Sequence, residues 1–307
     1  MNGVQITGLA NLAGGTMRGV QLAGISNISG DNTVELSAAG LVNITGDRAQ
    51  GVVISGLTSI GGDNNSGLMI SGFMNVTGNM ASGLHFSGAA NITGQSFGGL
   101  MASGLLNVVG EHMNGLQIAG IANITASKLN GVQIALCNYA TQARGLQIGL
   151  VNYYKENMKG FQLGLVNANP DTRVQMMVYG GNATPANIGV RFKNQLFYTI
   201  LGVGSMYQGL NDKFSASASY RAGLSFPLYK GLSISGDLGY QHIEAFDNKD
   251  EVIPKRLYAL QARANLEYQF TRKFGIYATG GYGLTRFYNK SSNYDKGAII
   301  EAGIVLF

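Results

Sequence analysis

Residues 115–130 read GLQIAGIANITASKLN, the sixteen before them GLMASGLLNVVGEHMN, and the sixteen before those GLHFSGAANITGQSFG. A Gly, an Asn and four apolar positions recur at a fixed spacing of sixteen, the perimeter of one coil of a stacked β-structure. With the opening Gly as slot 1, units begin at 3, 19, 35, 51, 67, 83, 99, 115 and 131, and Glu35 alone breaks the Gly rule. Slot 6 is Gly in all eight complete units; slot 9 is Asn in seven, with Ser59 the exception; slot 12 is Gly in seven, with Ala126 in its place.

Slots 2 and 4 are apolar with Gln, Met or another residue between them, which is the period of a strand. Slots 7 and 10 are apolar with changed parity, so the chain bends at the slot 6 Gly, where a missing Cβ permits unusual backbone angles. The reading is short strand, Gly corner, short strand and polar turn, with the four apolar slots buried in one core and slot 3 outside. At about 4.8 Å per coil, ten or so coils make a rod on the order of 50 Å long. The Asn-x-Ser/Thr patterns at Asn27, Asn43, Asn75, Asn91 and Asn123 match glycosylation acceptors, but their periodicity favours a stacked Asn ladder. Asp31, Asp47 and Asp63 open the turns as solvated acids. From residue 131 the spacing falls to fourteen and fifteen, so the coils near Asn167 are reshaped.

Composition breaks where the repeat ends. All fifteen Tyr lie at or after Tyr139, and residues 1–130 hold eight of the 37 charges. The expected domains are a solenoid over 1–170 and a second domain over 171–307. Eighteen of the 21 Lys and Arg sit in the Tyr-rich half among apolar residues, which fits a lipid headgroup boundary better than nucleic acid. Cys137 is the one cysteine, so an intrachain disulfide is excluded, and it is expected in the core. Because Met1 runs straight into the repeat, the natural chain is expected to extend upstream.

After Pro170 the pattern is long alternation. Tyr258, Leu260, Ala262, Ala264, Leu266, Tyr268 and Phe270 share one face; Gln261, Arg263, Asn265, Glu267 and Gln269 share the other. Fourteen alternating residues with aromatics at both ends fit a tilted transmembrane strand. Eight such strands are expected: 173–180, 188–193, 196–206, 214–226, 232–240, 257–270, 274–284 and 298–307. Long loops (QGLNDK, EAFDNKDEVIPKR, NKSSNYDK) alternate with short turns (KN, PLYKG, TRK). The fold class is therefore all-β: an N-terminal β-solenoid of 16-residue coils, then an antiparallel eight-stranded transmembrane β-barrel. Short turns face the periplasm in such barrels, and an even strand count puts both barrel ends, and the solenoid, there. By alternation Arg173, Arg191, Lys193, Arg221, Asp237, Arg263 and Glu267 point inward; Arg191, Arg221, Asp237, Arg263 and Glu267 form the expected lumen network. Phe307 shares parity with Glu301, so the last strand carries a bulge or Glu301 lies near the headgroups.

The units GLQIGLVN (145–152) and GFQLGLVN (160–167), following GVQLAGISN-type units and preceding a Tyr-rich barrel that ends in Phe, resemble the surface-repeat proteins of diderm bacteria. The resemblance covers roughly residues 3–167 and implies an outer-membrane location with no catalytic residue to transfer. The barrel half resembles the small OmpA-like or OmpX-like class in strand number.

Three functions compete: an envelope anchor carrying a binding or scaffolding rod, a transport component or narrow channel, and an envelope enzyme acting on lipid or polysaccharide. An enzyme needs converging acid, base or nucleophile groups. His85 sits in the Gln slot, expected outside; His112 sits in a turn; His242 lies with Glu244 and Asp247 beside a long loop. The GGYG at 280–283 falls within a strand, which removes a phosphate-loop reading. The expectation is a non-enzymatic protein with no cofactor and no metal, whose partners are outer-membrane lipid and an envelope protein or glycan. If slot 3 faces outward, Gln5, Gln21, Gln117, Gln133, Gln147 and Gln162 form a binding row.

Overall fold

In the computed structural model the described residues are 1–205, 207, 214–246, 256–288 and 293–307. Met206, the QGLNDK loop, Asp247 and the rest of the loop to 255, and residues 289–292 lie outside them. Among the described residues every regular element is a strand, and no helix is long and apolar enough to cross a membrane. The chain divides into two compact units, Met1–Gly164 and Leu165–Phe307.

The first unit is a parallel β-solenoid of about ten turns. From Arg48 to Ala119 each coil carries an eight-residue strand over slots 14–5, such as Met80–Ser87, and the coils as far as Val109 a four-residue strand over slots 8–11, such as Ala90–Thr93. Equivalent slots pair in register, Gly83 with Gly99 and Asn91 with Asn107. Near the end the coils shorten: Ala122 pairs with Cys137 and Lys128 with Gln142, with a register shift after Thr125. The polar turn is lost there, so one strand runs unbroken over Ala122–Ile134.

Its inside and outside are the reverse of the expected arrangement. Slot 3 is buried, and so are slots 9, 11 and 15, whereas the aliphatic residues of slots 2, 4, 7 and 10 lie on the surface. Leu57, Phe73, Leu105 and Ile121 are between 48% and 54% exposed. The physical reason is the narrow space between the two strands of a coil, which is filled by side chains that bond along the stack. Asn91 Nδ2 donates to Asn107 Oδ1 at 2.9 Å and to the Ala102 carbonyl at 2.8 Å. Asn107 repeats this on Asn123 and Ile118 at 3.0 and 2.7 Å. A stacked amide satisfied on both sides costs little to bury, and its periodic spacing supplies its partner in every coil. Met69, Phe97, Met101, Met113 and Leu129 fill the remainder. The Asn ladder is thus observed, and the acceptor-like Asn side chains are buried.

The glycines also act differently from expectation. Left-handed φ falls at slot 1, for example 131° at Gly115, not at the corner. At the corner a Cβ on Gly88 would stand 2.0 Å from the carbonyl oxygen of Gly72, so close stacking is what demands glycine there. Cys137 is exposed, not in the core, because its slot is on the aliphatic flank.

The second unit closes eight antiparallel strands into a barrel: Arg173–Gly181, Ala186–Asn194, Phe197–Ser205, Ser215–Tyr229, Leu232–Ala245, Arg256–Thr271, Phe274–Phe287 and Asn293–Leu306. Neighbours in sequence pair throughout, and the eighth strand pairs with the first, Val305 opposite Met177. Two-residue turns at 195–196, 230–231 and 272–273 lie at one end, the longer connections at the other. Lys230 and Gly231 both have positive φ, 25° and 87°, as a tight hairpin turn that follows the strand twist requires. The barrel therefore starts and finishes at its short-turn end, where the Phe307 amide bonds to the Lys273 carbonyl at 2.7 Å.

Alternation sets the two faces. Val178, Ile188, Val203, Leu238, Leu260, Leu266, Ile276 and Ile300 point outward and are exposed. Tyr268, Phe270 and Phe274 pack together near the short turns; Tyr240, Tyr258 and Tyr288 pack near the long loops. No bulge separates Glu301 from Phe307: Glu301 and Val305 are buried inward, the strand ends at Leu306, and φ of 38° turns Phe307 away.

Candidate functional site

The barrel lumen gathers the inward charges into three tiers. Nearest the short turns, Arg191 holds Glu267 bidentately, Nη1 to Oε2 at 2.5 Å and Nη2 to Oε1 at 2.9 Å, and donates to Gln175 Oε1. Lys193 Nζ donates to Ser225 Oγ at 2.9 Å, while Arg173 remains exposed at its strand end. In the middle, Arg221 forks onto Asp237 with both contacts at 2.8 Å, and Asp237 also accepts from Tyr198 and Asn265. Beside it Arg263 grips Glu301 at 3.0 and 3.1 Å. Toward the long loops Gln241, Gln261 and Ser217 bond to one another, and Tyr207, Ile243, Ala245, Leu257 and Ala259 form an apolar layer.

The structure brings Arg191, Arg221, Asp237, Arg263 and Glu267 together in the lumen, and each of the three arginines faces a carboxylate. Planar forks of this kind fix geometry as well as neutralise charge. Sequence reasoning set Glu301 aside because of Phe307; its parity with Ile299 and Gly303 was the available signal. Tyr198 and Asn265, the neutral members that bind Asp237, carry no charge signal and lie outside the network expected from sequence; the parity of Asn265 with Arg263 and Glu267 was the signal for one of them. An eight-stranded barrel is just wide enough to be filled in this way.

The glutamine row is an internal feature. Gln21, Gln117, Gln133 and Gln147 are fully buried and Gln162 nearly so, with Gln5 half-buried. Gln147 Nε2 donates to Gln133 Oε1, Gln133 to Gln117 and Gln162 to Gln147, each at 2.8 Å. The condition for a binding row, an outward slot 3, is not met, because each amide finds its partner in the next coil.

His85, expected outside, is buried in the same column, edge-on to Phe97 with ring centroids 4.9 Å apart. Its Nε2 has no hydrogen-bond partner among the described residues, and burial pushes its pKa down to about 4. His112 is exposed and begins a strand on the polar edge. His242 bonds the Tyr288 hydroxyl through Nδ1 at 2.7 Å and lies 3.4 Å from Glu244, whose carboxylate also holds Arg256 at 3.1 Å. An open groove of about 1010 Å³ on the outer face, lined by Ala186, Ile188, Ala216, Ala218 and Ile304, reaches His242 and Glu244. Among the described residues no hydroxyl nucleophile other than the Tyr288 phenol bonds that histidine.

No protein-family model and no curated protein matches the sequence. Among solved structures, the chain is similar to the N-terminal β-barrel domain of OprF from Pseudomonas aeruginosa, at 15% identity and a TM-score of 0.30, over 43% of this chain and 93% of that one.

Proposed function

We propose that this chain is a non-enzymatic outer-membrane protein of the surface-repeat kind, with the barrel as its transmembrane anchor and the solenoid in a structural or partner-binding role. The observation that carries the reading is the barrel's outer face. Tyr258 and Tyr268 lie ten residues apart on one strand and one face, with only Leu and Ala between them on that face. At ~3.3 Å per residue and a tilt of about 40°, those rings stand roughly 25 Å apart along the barrel axis, the height of an outer-membrane apolar band.

The paired, packed lumen supports a closed anchor over a channel: an ion would have to displace Arg191–Glu267, Arg221–Asp237 and Arg263–Glu301 and pass the apolar layer around Leu257. With short turns toward the periplasm, both barrel ends, and so the solenoid, are assigned to that side. The partners assigned are outer-membrane lipid and an envelope protein or glycan.

The test is expression in a diderm host followed by fractionation. The protein is expected in the outer-membrane pellet after carbonate washing, with a heat-modifiable band on denaturing gels. Release into the soluble fraction would overturn the anchor. For sidedness, Cys137→Ala with Asn64→Cys should react with a membrane-impermeant thiol reagent only after permeabilisation; reaction on intact cells would reverse the assigned side.

A further inference from the structure

The outer surface of the solenoid is divided lengthwise. Around the Gly corner, slots 2, 4, 7, 8 and 10 hold Leu, Ile, Val, Phe, Ala, Met, Thr, Ser, Tyr and Cys, and across Gly3–Gly164 not one charge. Around the turn, slots 12–14 and 16 hold the Asp, Arg and Lys of the repeat and its Glu other than Glu35. The aliphatic band at the corner is continuous over a rod on the order of 50 Å long, and a contiguous apolar surface of this kind marks a protein or membrane interaction site.

Three observations select its occupant. The hot spots of protein interfaces are enriched in Trp, Tyr and Arg, whereas the band has no Trp and no Arg, and its Tyr appear only at Tyr139 and Tyr153. Its backbone needs no water even at the corner: Leu57 N bonds to Leu41 O at 2.9 Å, Thr58 N to the same oxygen at 3.0 Å, and Phe73 N to Leu57 O at 2.9 Å. Complete internal pairing is the condition for contact with hydrocarbon. Finally, along the last coils the border carries the cations Lys128, Arg144 and Lys159. Arg144 and Lys159 pair in register, each two residues before an aliphatic or aromatic band residue, Leu146 and Phe161. With Lys128 they line a recess of about 200 Å³. Apolar side chains edged by Lys and Arg are the composition of an element lying in the interface of an anionic lipid leaflet.

We infer that the solenoid lies along a lipid leaflet, its Gly-corner flank in the acyl region and its Lys128–Arg144–Lys159 border against lipid phosphates. The inference goes beyond the anchor function and does not require that the barrel span the membrane.

Cys137 lies on this flank and is exposed, so the native chain carries its own probe site. The full chain, labelled there with an environment-sensitive fluorophore, is reconstituted in phosphatidylethanolamine vesicles with and without phosphatidylglycerol. Two further probes are placed in the Cys137→Ala background, Leu57→Cys on the flank and Asp47→Cys on the turn. Lipids brominated in the acyl chain should quench the Cys137 and Leu57 probes several-fold more than the Asp47 probe, and aqueous iodide should show the opposite order. Phosphatidylglycerol should strengthen flank quenching, and Lys128→Gln with Arg144→Gln and Lys159→Gln should abolish that increment. Flank probes quenched by iodide and spared by bromolipid would overturn the inference. Flank probes shielded from both, with self-quenching that rises with protein-to-lipid ratio, would overturn it in favour of a second copy. A Leu238→Cys probe reports barrel insertion separately, so failure of the anchor and failure of the flank are distinguishable.

Discussion

Asn107 shows how single residues hold this fold. Its Nδ2 reaches Ile118 O and Asn123 Oδ1, and its Oδ1 accepts from Asn91 at 2.9 Å, all away from water. Asn107→Ala removes three hydrogen bonds from the interior and should cost roughly 2–4 kcal/mol, read as a lower urea midpoint for loss of solenoid amide protection. Ser59 is tolerated at the same slot because Ser55 and Ser71 stand beside it, Ser71 donating at 3.0 Å. His85 gives a pH signature. Its folded pKa, about 4, is depressed below the unfolded 6.5, so the unfolded chain takes the proton first. The associated stability is complete above pH 6.5 and is lost as pH falls toward 4, in total about 3 kcal/mol. His85→Gln, which suits the column, should remove that slope between pH 6.5 and 4; an unchanged slope would place the titration elsewhere. The identity of the slot 3 residues was plain in the sequence, but their side of the strand was not. Alternation says which residues share a face, and only the space between the strands decides that Gln133 and Met101 belong inside.

At the scale of the element, the coil is defined by close approach. Gly88→Ala would press a Cβ against the Gly72 carbonyl at 2.0 Å, so neighbouring coils must separate. The expected result is loss of several kcal/mol and of protection in the adjoining coils, on the order of a buried overpacking or larger. Glu35 is the converse case. It occupies the slot 1 position with φ of 88°, where every sister coil has glycine, so Glu35→Gly should stabilise by about 1 kcal/mol, seen as a raised urea midpoint. In the barrel the element boundaries were legible because aromatic residues mark both ends of long alternating runs. The observed strands extend further on the loop side, to Ala245 where 240 was expected and to Phe287 where 284 was expected. Those extensions carry pairings such as Ala216 with Glu244 beyond the aromatic girdle, where no apolar alternation announces them.

At the scale of the whole molecule, both units are built the same way round, with amide ladders inside the solenoid, ion pairs inside the barrel and most aliphatic residues outside. In the barrel this was expected because Arg221, Arg263 and Glu267 alternate with Leu and Ala, and charges outside would face lipid. In the solenoid the inner residues are neutral, so nothing in the sequence contradicted the ordinary assumption that Leu and Ile go inside. The packed lumen makes a further prediction: the wild-type chain in a planar bilayer should show no steady conductance. Glu267→Gln, which leaves Arg191 without its carboxylate, should lower barrel stability by about 3–5 kcal/mol in a refolding assay without opening a pore. A stable unitary conductance in the unaltered chain would favour the channel reading.

The most direct test of the membrane anchor is a cysteine scan of the sixth barrel strand from Ala259 to Glu267, in the Cys137→Ala chain reconstituted in lipid vesicles. Probes at Leu260, Ala262, Ala264 and Leu266 should be quenched by bromolipid, and those at Ala259, Gln261, Arg263, Asn265 and Glu267 should not, giving a period of two along the strand. Uniform quenching by aqueous iodide, with no alternation and no access to lipid, would contradict the anchor.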